Sequence, residues 1–381
     1  MQQAGWTVSV ICPKGWGYTK SEETLEGIHV YRHPLPLEGK GLAGFLTEYV
    51  TALSWEFALS FKVLRRHGFD VIQACNPPDL LFLVGGFYKL FFGKRFIFDH
   101  HDISPELYEA KFGKRGFLHR ALLFFERLTF KTADTAIATN ESFKQIAIER
   151  GGMDPDKVYV VKSYPDLGRF HRVATDDSLK RGRKTLVGYV GVMGNQDGID
   201  LLVQAMAHVV HMRGRTDVGC AIIGNGTELE SLKAQAKNLK VADYIEFTGY
   251  LTGQPLLSYL STVDVGVIPD PPNIYNDKIS MNKVFEYMSL GIPFVQFNVT
   301  EGRNAAGEAA LIAERDDGTA LGDALLTLVD DPERRERMSA YGMARAKAEF
   351  RWEDAQRALL AAYDAAVPVR VPAGRAEDVT T

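Results

Sequence analysis

Short apolar runs of strand length alternate, along the whole chain, with longer stretches in which apolar residues recur every three or four positions. That alternation predicts parallel α/β sheets, because each parallel strand needs a crossover, usually a helix, before the next. In the first half the strand candidates are residues 7–12, 28–32, 70–75, 95–99, 135–139 and 158–161. A second series follows at 186–192, 220–224, 244–249, 263–269, 293–297 and 310–313. Between them, 162–184 is rich in Pro, Asp, Gly and basic residues and reads as a linker. The expected organisation is an α/β chain of two doubly wound, Rossmann-like domains, 1–165 and 185–351, joined by 166–184. A helix over 352–367 is expected to pack back toward the first domain, with 368–381 as a flexible tail. Ligands of such sheets bind at the carboxyl ends of strands, so the active site is expected in a cleft between the domains.

The opening residues, MQQAGWTVSVICP, read as the last turn of a helix, a turn at Gly5 and a strand. A doubly wound domain should start with a strand and a glycine-bearing loop before that helix. The first βα unit is therefore expected to be missing, leaving a gap between two interior strands.

The 277–294 segment, DKISMNKVFEYMSLGIPF, predicts one short amphipathic helix with Ser280 as its cap, closed at Gly291 and Pro293. Asn282, Lys283 and Glu286 then share one face near the positive helix end. That face suits a nucleotide sugar, with backbone N–H groups and Lys283 on the diphosphate and Glu286 accepting from ribose hydroxyls. A surface helix with an ordinary Lys/Glu pair is the plainer alternative.

At 381 residues the chain is long enough for two domains, and 46% hydrophobic with 24% charged residues is the composition of a globular protein. A net charge of -4 argues against a dedicated nucleic-acid binder. Cys12, Cys75 and Cys220 sit far apart in apolar runs, which points to buried reduced thiols rather than disulfides or a metal site. No apolar run is long enough to span a bilayer, and a cytoplasmic location is expected.

With these segments in hand, the chain resembles the family 4 glycosyltransferases of GT-B architecture. The resemblance rests on GYVGVMGNQDGID at 188–200, IIGNGTELESL at 222–232, IEFTGYL at 245–251, VDVGVIPD at 263–270 and NKVFEYMSLGIPFV at 282–295. FDHHDISPELYE at 98–109 and ATNESF at 138–143 add to it. The resemblance implies a retaining transferase of the bacterial surface-polysaccharide type. It would use a nucleotide-activated sugar, a glycan or lipid-linked acceptor, and no cofactor or metal.

The family's second motif glutamate falls on Glu286, and the first should stand where this chain has Lys278 beside Asp277. Two cations that such enzymes often aim at the diphosphate are replaced by Val192 and Asp197. Lys278, Lys283 and the loop amides around Gly191, Gly194 and Asn195 would have to supply that potential. The resemblance puts the nucleobase against the backbone of Gly249, Tyr250 and Leu251. It also places a donor-sugar histidine at His101, so His101, Lys283 and Glu286 are the expected catalytic set. Neighbouring His100 and Glu106 are assigned to the acceptor side, although capping explains Glu106 equally well. Adjacent residues of an extended segment diverge, which argues against a metal on the Asp99 to Asp102 run.

Finally, residues 86–131 mix Phe87, Phe91, Phe92, Phe112, Phe117, Phe124 and Phe125 with Lys89, Lys94, Arg95, Lys111, Lys114, Arg115 and Arg120. Such a mixture favours an anionic membrane surface, while a core role for the aromatics is the alternative. Two other functions share this architecture: a catalytically silent sugar-nucleotide binder, suggested by Val192, Asp197 and Lys278, and a nucleotide-sugar epimerase.

Overall fold

The computed structural model describes residues 1–15, 18–34 and 41–367. They fall into two compact units: 1–104 and 116–161 with the chain from 356 onward, and 105–115 with 162–355.

The second unit is built on a six-stranded sheet of β8 (Thr185–Val190), β9 (Val218–Ile223), β10 (Ile245–Gly249), β11 (Val265–Ile268), β12 (Phe294–Gln296) and β13 (Ala310–Ile312). All neighbours are parallel, in the order β10-β9-β8-β11-β12-β13. Side chains alternate between two apolar clusters. Val187, Cys220, Ile222 and Val265 enter one, and Leu186, Ala221, Ile223 and Ile268 the other. Burial on both faces is what makes these strands continuous apolar runs in the sequence.

In the first unit β4 (Val71–Cys75), β5 (Arg95–His100), β6 (Thr135–Ala138) and β7 (Val158–Val160) form a parallel sheet in that order. A separate three-stranded sheet holds β1 (Ser9–Pro13), β3 (Ile28–His33) and β2 (Glu22–Leu25), with β1 and β4 each at an edge. Every apolar run named above becomes a strand, its ends moving by no more than two residues. Only β2 was missed. Its sequence, EETL, is polar, and it pairs antiparallel with β3 through a turn in which Glu26 and Gly27 have φ of 50° and 84°.

The expected boundaries need two adjustments. Residues 105–115 group with the second unit, where Glu106 lies 3.5 Å from Lys278. The Trp352–Ala366 helix joins the first unit from Gln356, with Ala362 and Ala366 packed on Ile97 and Ile137. The expected tail, 368–381, lies outside the described residues. Among the described residues no helix is long and apolar enough to cross a membrane.

Candidate functional site

In the second unit the turns after β8 and β9 press backbone against backbone. Gly224, at φ 140°, could not carry a Cβ without placing it 1.9 Å from the Gly191 carbonyl oxygen. The 191–198 loop lies against this turn, and hydrogen bonds to it and within the loop engage amides that were expected to face a phosphate. Gly191 N–H donates to Ile223 O at 3.0 Å, Met193 N–H to Asn225 O at 3.0 Å and Gly194 N–H to Asp197 Oδ2 at 2.9 Å. The expectation that amides around Gly191 and Gly194 supply positive potential is corrected accordingly. Asn195 opens the short 3₁₀ turn Asn195–Asp197. Burial pushes the Asp197 carboxyl up to about 6, with Lys283 pulling the other way.

The Asn282–Ser289 helix forms where expected, but Met281 rather than Ser280 occupies the cap position. Asn282 is exposed at its start. Lys283 is not a free cation, because Nζ lies 2.7 Å from Asp270 Oδ2 and 4.8 Å from the Tyr189 ring centroid. Burial opposes its charge, yet Asp270, Tyr189 and Asp197 together hold its pKa above the ordinary lysine value. A direct diphosphate contact from Lys283 is therefore corrected to a buried pair with Asp270.

Glu286 stands apart. Its carboxyl is half-buried, and among the described residues no hydrogen bond or ion pair reaches it. Burial raises its pKa, while the Lys283 charge lowers it. A carboxylate kept partly from water without donors is costly, and incoming hydroxyl donors would relieve that cost.

Lys278 is about a third exposed and pairs with the buried Glu106. That pairing corrects the acceptor-side assignment of Glu106, whose carboxylate is turned to a lysine inside its own unit. Asp277, beside Lys278, accepts from the Thr300 N–H at 2.7 Å and is structural. At the end of β10, Gly249 has φ 76° and its carbonyl accepts from Gly224 N–H at 2.9 Å. Tyr250 is exposed, while Leu251 packs on the apolar cluster.

In the first unit, β5 delivers its two histidines to different environments. His100 is fully buried among Phe98, Phe130 and Phe143, which removes it from the acceptor side. His101 is half exposed, with Nε2 3.0 Å from Asp99 Oδ1. Asp99 raises the His101 pKa against the pull of burial. The placement of His101 depends on Asn76, which the sequence reading missed. Asn76 Oδ1 accepts from the His101 and Asp102 N–H groups at 3.0 and 3.2 Å, and its Nδ2 donates to Asp79 Oδ1 and Asp102 O. The available signal was an Asn-Pro pair closing an apolar run. Asp270, also missed, ends the VIPD run at the carboxyl end of β11.

Two family profiles match the chain. One, described as Glycosyltransferase Family 4, covers residues 1–167, and the other, Glycosyl transferases group 1, covers 184–331. Among similar proteins, the GDP-mannose-dependent monoacylated alpha-(1-6)-phosphatidylinositol monomannoside mannosyltransferase of Corynebacterium glutamicum is 29% identical, over 41% of this chain and 41% of that protein. The lipopolysaccharide core biosynthesis mannosyltransferase LpsB of Rhizobium meliloti is 30% identical over 48% of this chain and 52% of its own. The chain thus spans about half the length of these relatives. Two solved structures share the fold. Sucrose-phosphate synthase from Thermosynechococcus elongatus superposes with a TM-score of 0.76 at 19% identity, covering 95% of this chain and 89% of that one. Anabaena HepE in complex with UDP-glucose gives 0.64 at 15% identity, covering 87% and 85%.

Proposed function

Because this chain belongs to glycosyltransferase family 4, we propose that it transfers a sugar from a nucleotide-diphosphate donor to a glycan or lipid-linked acceptor, retaining anomeric configuration. The observation that carries this reading is Glu286, a half-buried carboxylate with no protein donor among the described residues, one turn into a short helix that follows the carboxyl end of a parallel strand. It accepts hydrogen bonds from vicinal ribose hydroxyls. Lys283, tied to Asp270, acts on Glu286 through its field and keeps the carboxyl from becoming still less acidic. The charge of the leaving diphosphate falls to the Asn282 and Lys283 N–H groups that open the Asn282–Ser289 helix, and to Lys278, while the Val284 N–H already donates to Met281 O at 3.0 Å. His101 positions the reacting centre. With that electrostatic support, front-face substitution needs no bound metal cofactor.

The mannosyltransferase relatives, named for a phosphatidylinositol mannoside and for lipopolysaccharide core, support a surface-polysaccharide or lipid-linked acceptor, and we place that chemistry in the cytoplasm at the inner face of the membrane as part of the same proposal. The Phe117–Thr132 helix adds its own support. Phe117, Arg120, Phe124, Arg127 and Lys131 recur at helical spacing and are all exposed, a stripe of aromatic and cationic side chains turned outward. Anionic vesicles should sediment the protein, and Phe117→Ser with Phe124→Ser should release it. Equal sedimentation with neutral vesicles would contradict this docking.

Calorimetry on a panel of UDP- and GDP-sugars tests the site itself. Glu286→Gln should weaken donor binding by about 1.5–3 kcal/mol, the usual worth of hydrogen bonds to an ionised group. Unchanged affinity would remove Glu286 from the site.

A further inference from the structure

The ends of β4 and β5 bring together three groups that the proposed transfer does not use jointly. Cys75 stands opposite Asp99 in the parallel register, and Asp99 and His101 are two residues apart, so their side chains share a side of the extended chain. The alternation that separates His100 from His101 does not separate this set. Cys75 Sγ, an Asp99 carboxylate oxygen and a His101 ring nitrogen all lie within 4.8 Å of one another, with His101 Nε2 already 3.0 Å from Asp99 Oδ1. That oxygen is buried and accepts no aligned hydrogen bond, so its lone pairs stay available.

The surroundings are those of a supported ligand set. Gln73 Nε2 donates to Asp99 Oδ2 at 2.6 Å, and the Tyr363 hydroxyl donates to Gln73 Oε1 at 2.6 Å. Asn76 holds the His101 backbone. Outer contacts of this kind orient metal ligands. Cys75 and His101 are both reachable from solvent.

We propose that Cys75, Asp99 and His101 bind a divalent cation of borderline softness, zinc foremost, with a fourth position left open. A thiolate, an imidazole and a carboxylate form a donor set suited to zinc, and magnesium and calcium avoid sulfur. Tetrahedral donors stand about 3.5 Å apart, so rotation of the Cys75 side chain completes the site. A nucleophilic Cys-His-Asp reading fits less well. Burial, with Asp99 and Asp102, pushes the Cys75 thiol up to about 12, and the His101 nitrogen near the carboxylate is turned to Asp99 rather than set up as a base for sulfur. A bound cation would reverse the thiol's preference by displacing its proton. It would also engage His101. Resting on the transferase reading, zinc is thus an inhibitor of transfer and not its cofactor.

Cobalt titration of the metal-free full chain tests the site without reference to activity. The expected result is one equivalent bound, with a near-ultraviolet sulfur-to-cobalt charge-transfer band that zinc abolishes. Cys75→Ser should lose the band and at least tenfold in zinc affinity, and Asp99→Asn should weaken binding while keeping the band. Cys75→Ser exchanges one atom and keeps a donor for the Asn76 carbonyl, so its metal-free unfolding curve should match that of the parent and rule out misfolding. No band, or a band that survives in Cys75→Ser, would overturn the site. In donor hydrolysis, zinc should slow the parent but not Cys75→Ser. Cobalt binding through Cys75 with no effect of zinc on turnover would leave the site standing and overturn only the role given to His101.

Discussion

His100 and His101 follow one another at the end of β5, and the backbone alternation sends one ring into an aromatic core and the other toward solvent. Burial, followed by the charges of Arg150 and His101, pushes His100 down to about 3. In the unfolded chain a histidine takes its proton near 6.5. A depressed folded-state pKa contributes stability that is present above the unfolded value and lost as pH falls toward the folded one. The protein should therefore lose about 1.4 kcal/mol per pH unit from this residue between pH 6.5 and 3. Urea unfolding should show that His100→Leu flattens this decline, and an unchanged slope would contradict it. In kinetics, His101→Ala should lower kcat more than donor affinity, as a group serving the transition state does, while His100→Leu leaves kcat near that of the parent. A larger kcat effect at His100 would reverse the assignment. The sequence pointed to a histidine at this strand end; which ring faces solvent followed from packing against Phe130 and Phe143, contacts that no local pattern contains.

At the scale of elements, the strands buried on both faces were legible because their apolar runs have no other use, whereas polar β2 carried no such signal. The Asn282–Ser289 helix was legible too, but the partner of Lys283 was not, since Asp270 sits thirteen residues earlier at the end of a different element. Pairing of that kind depends on how β11 and the helix pack. Two glycine turns, one against the 191–198 loop and one before β4 in the first unit, offer a test. Gly224 and Gly68 both have positive φ, but a Cβ at Gly68 meets nothing within 4 Å and one at Gly224 meets the Gly191 carbonyl at 1.9 Å. Thermal unfolding should show Gly68→Ala costing about 1 kcal/mol, from backbone conformation alone. Gly224→Ala should cost roughly 2–4 kcal/mol, from strain plus a backbone clash, and should also weaken donor binding. Equal costs would mean that the turn at Gly224 does not press on the Gly191 carbonyl.

Across the whole molecule, the two series of apolar runs correspond to the two profile matches, so the architecture was written in the order and spacing of segments rather than in any one motif. The division of the chain was less legible. Residues 105–115 belong by contact with the second unit because a buried glutamate meets Lys278, the residue standing where a family glutamate was expected. These replacements alter the source of positive charge while leaving Glu286 in place, and the proposed chemistry depends on that difference. Proton NMR of donor turnover, run with a chelator present across a panel of α-linked UDP- and GDP-sugars, addresses this most directly. At least one donor should release its sugar slowly and first as the α anomer, at a rate the chelator does not reduce and Glu286→Gln lowers. Release of the β anomer, or tight donor binding with no turnover across the panel, would contradict a retaining transferase.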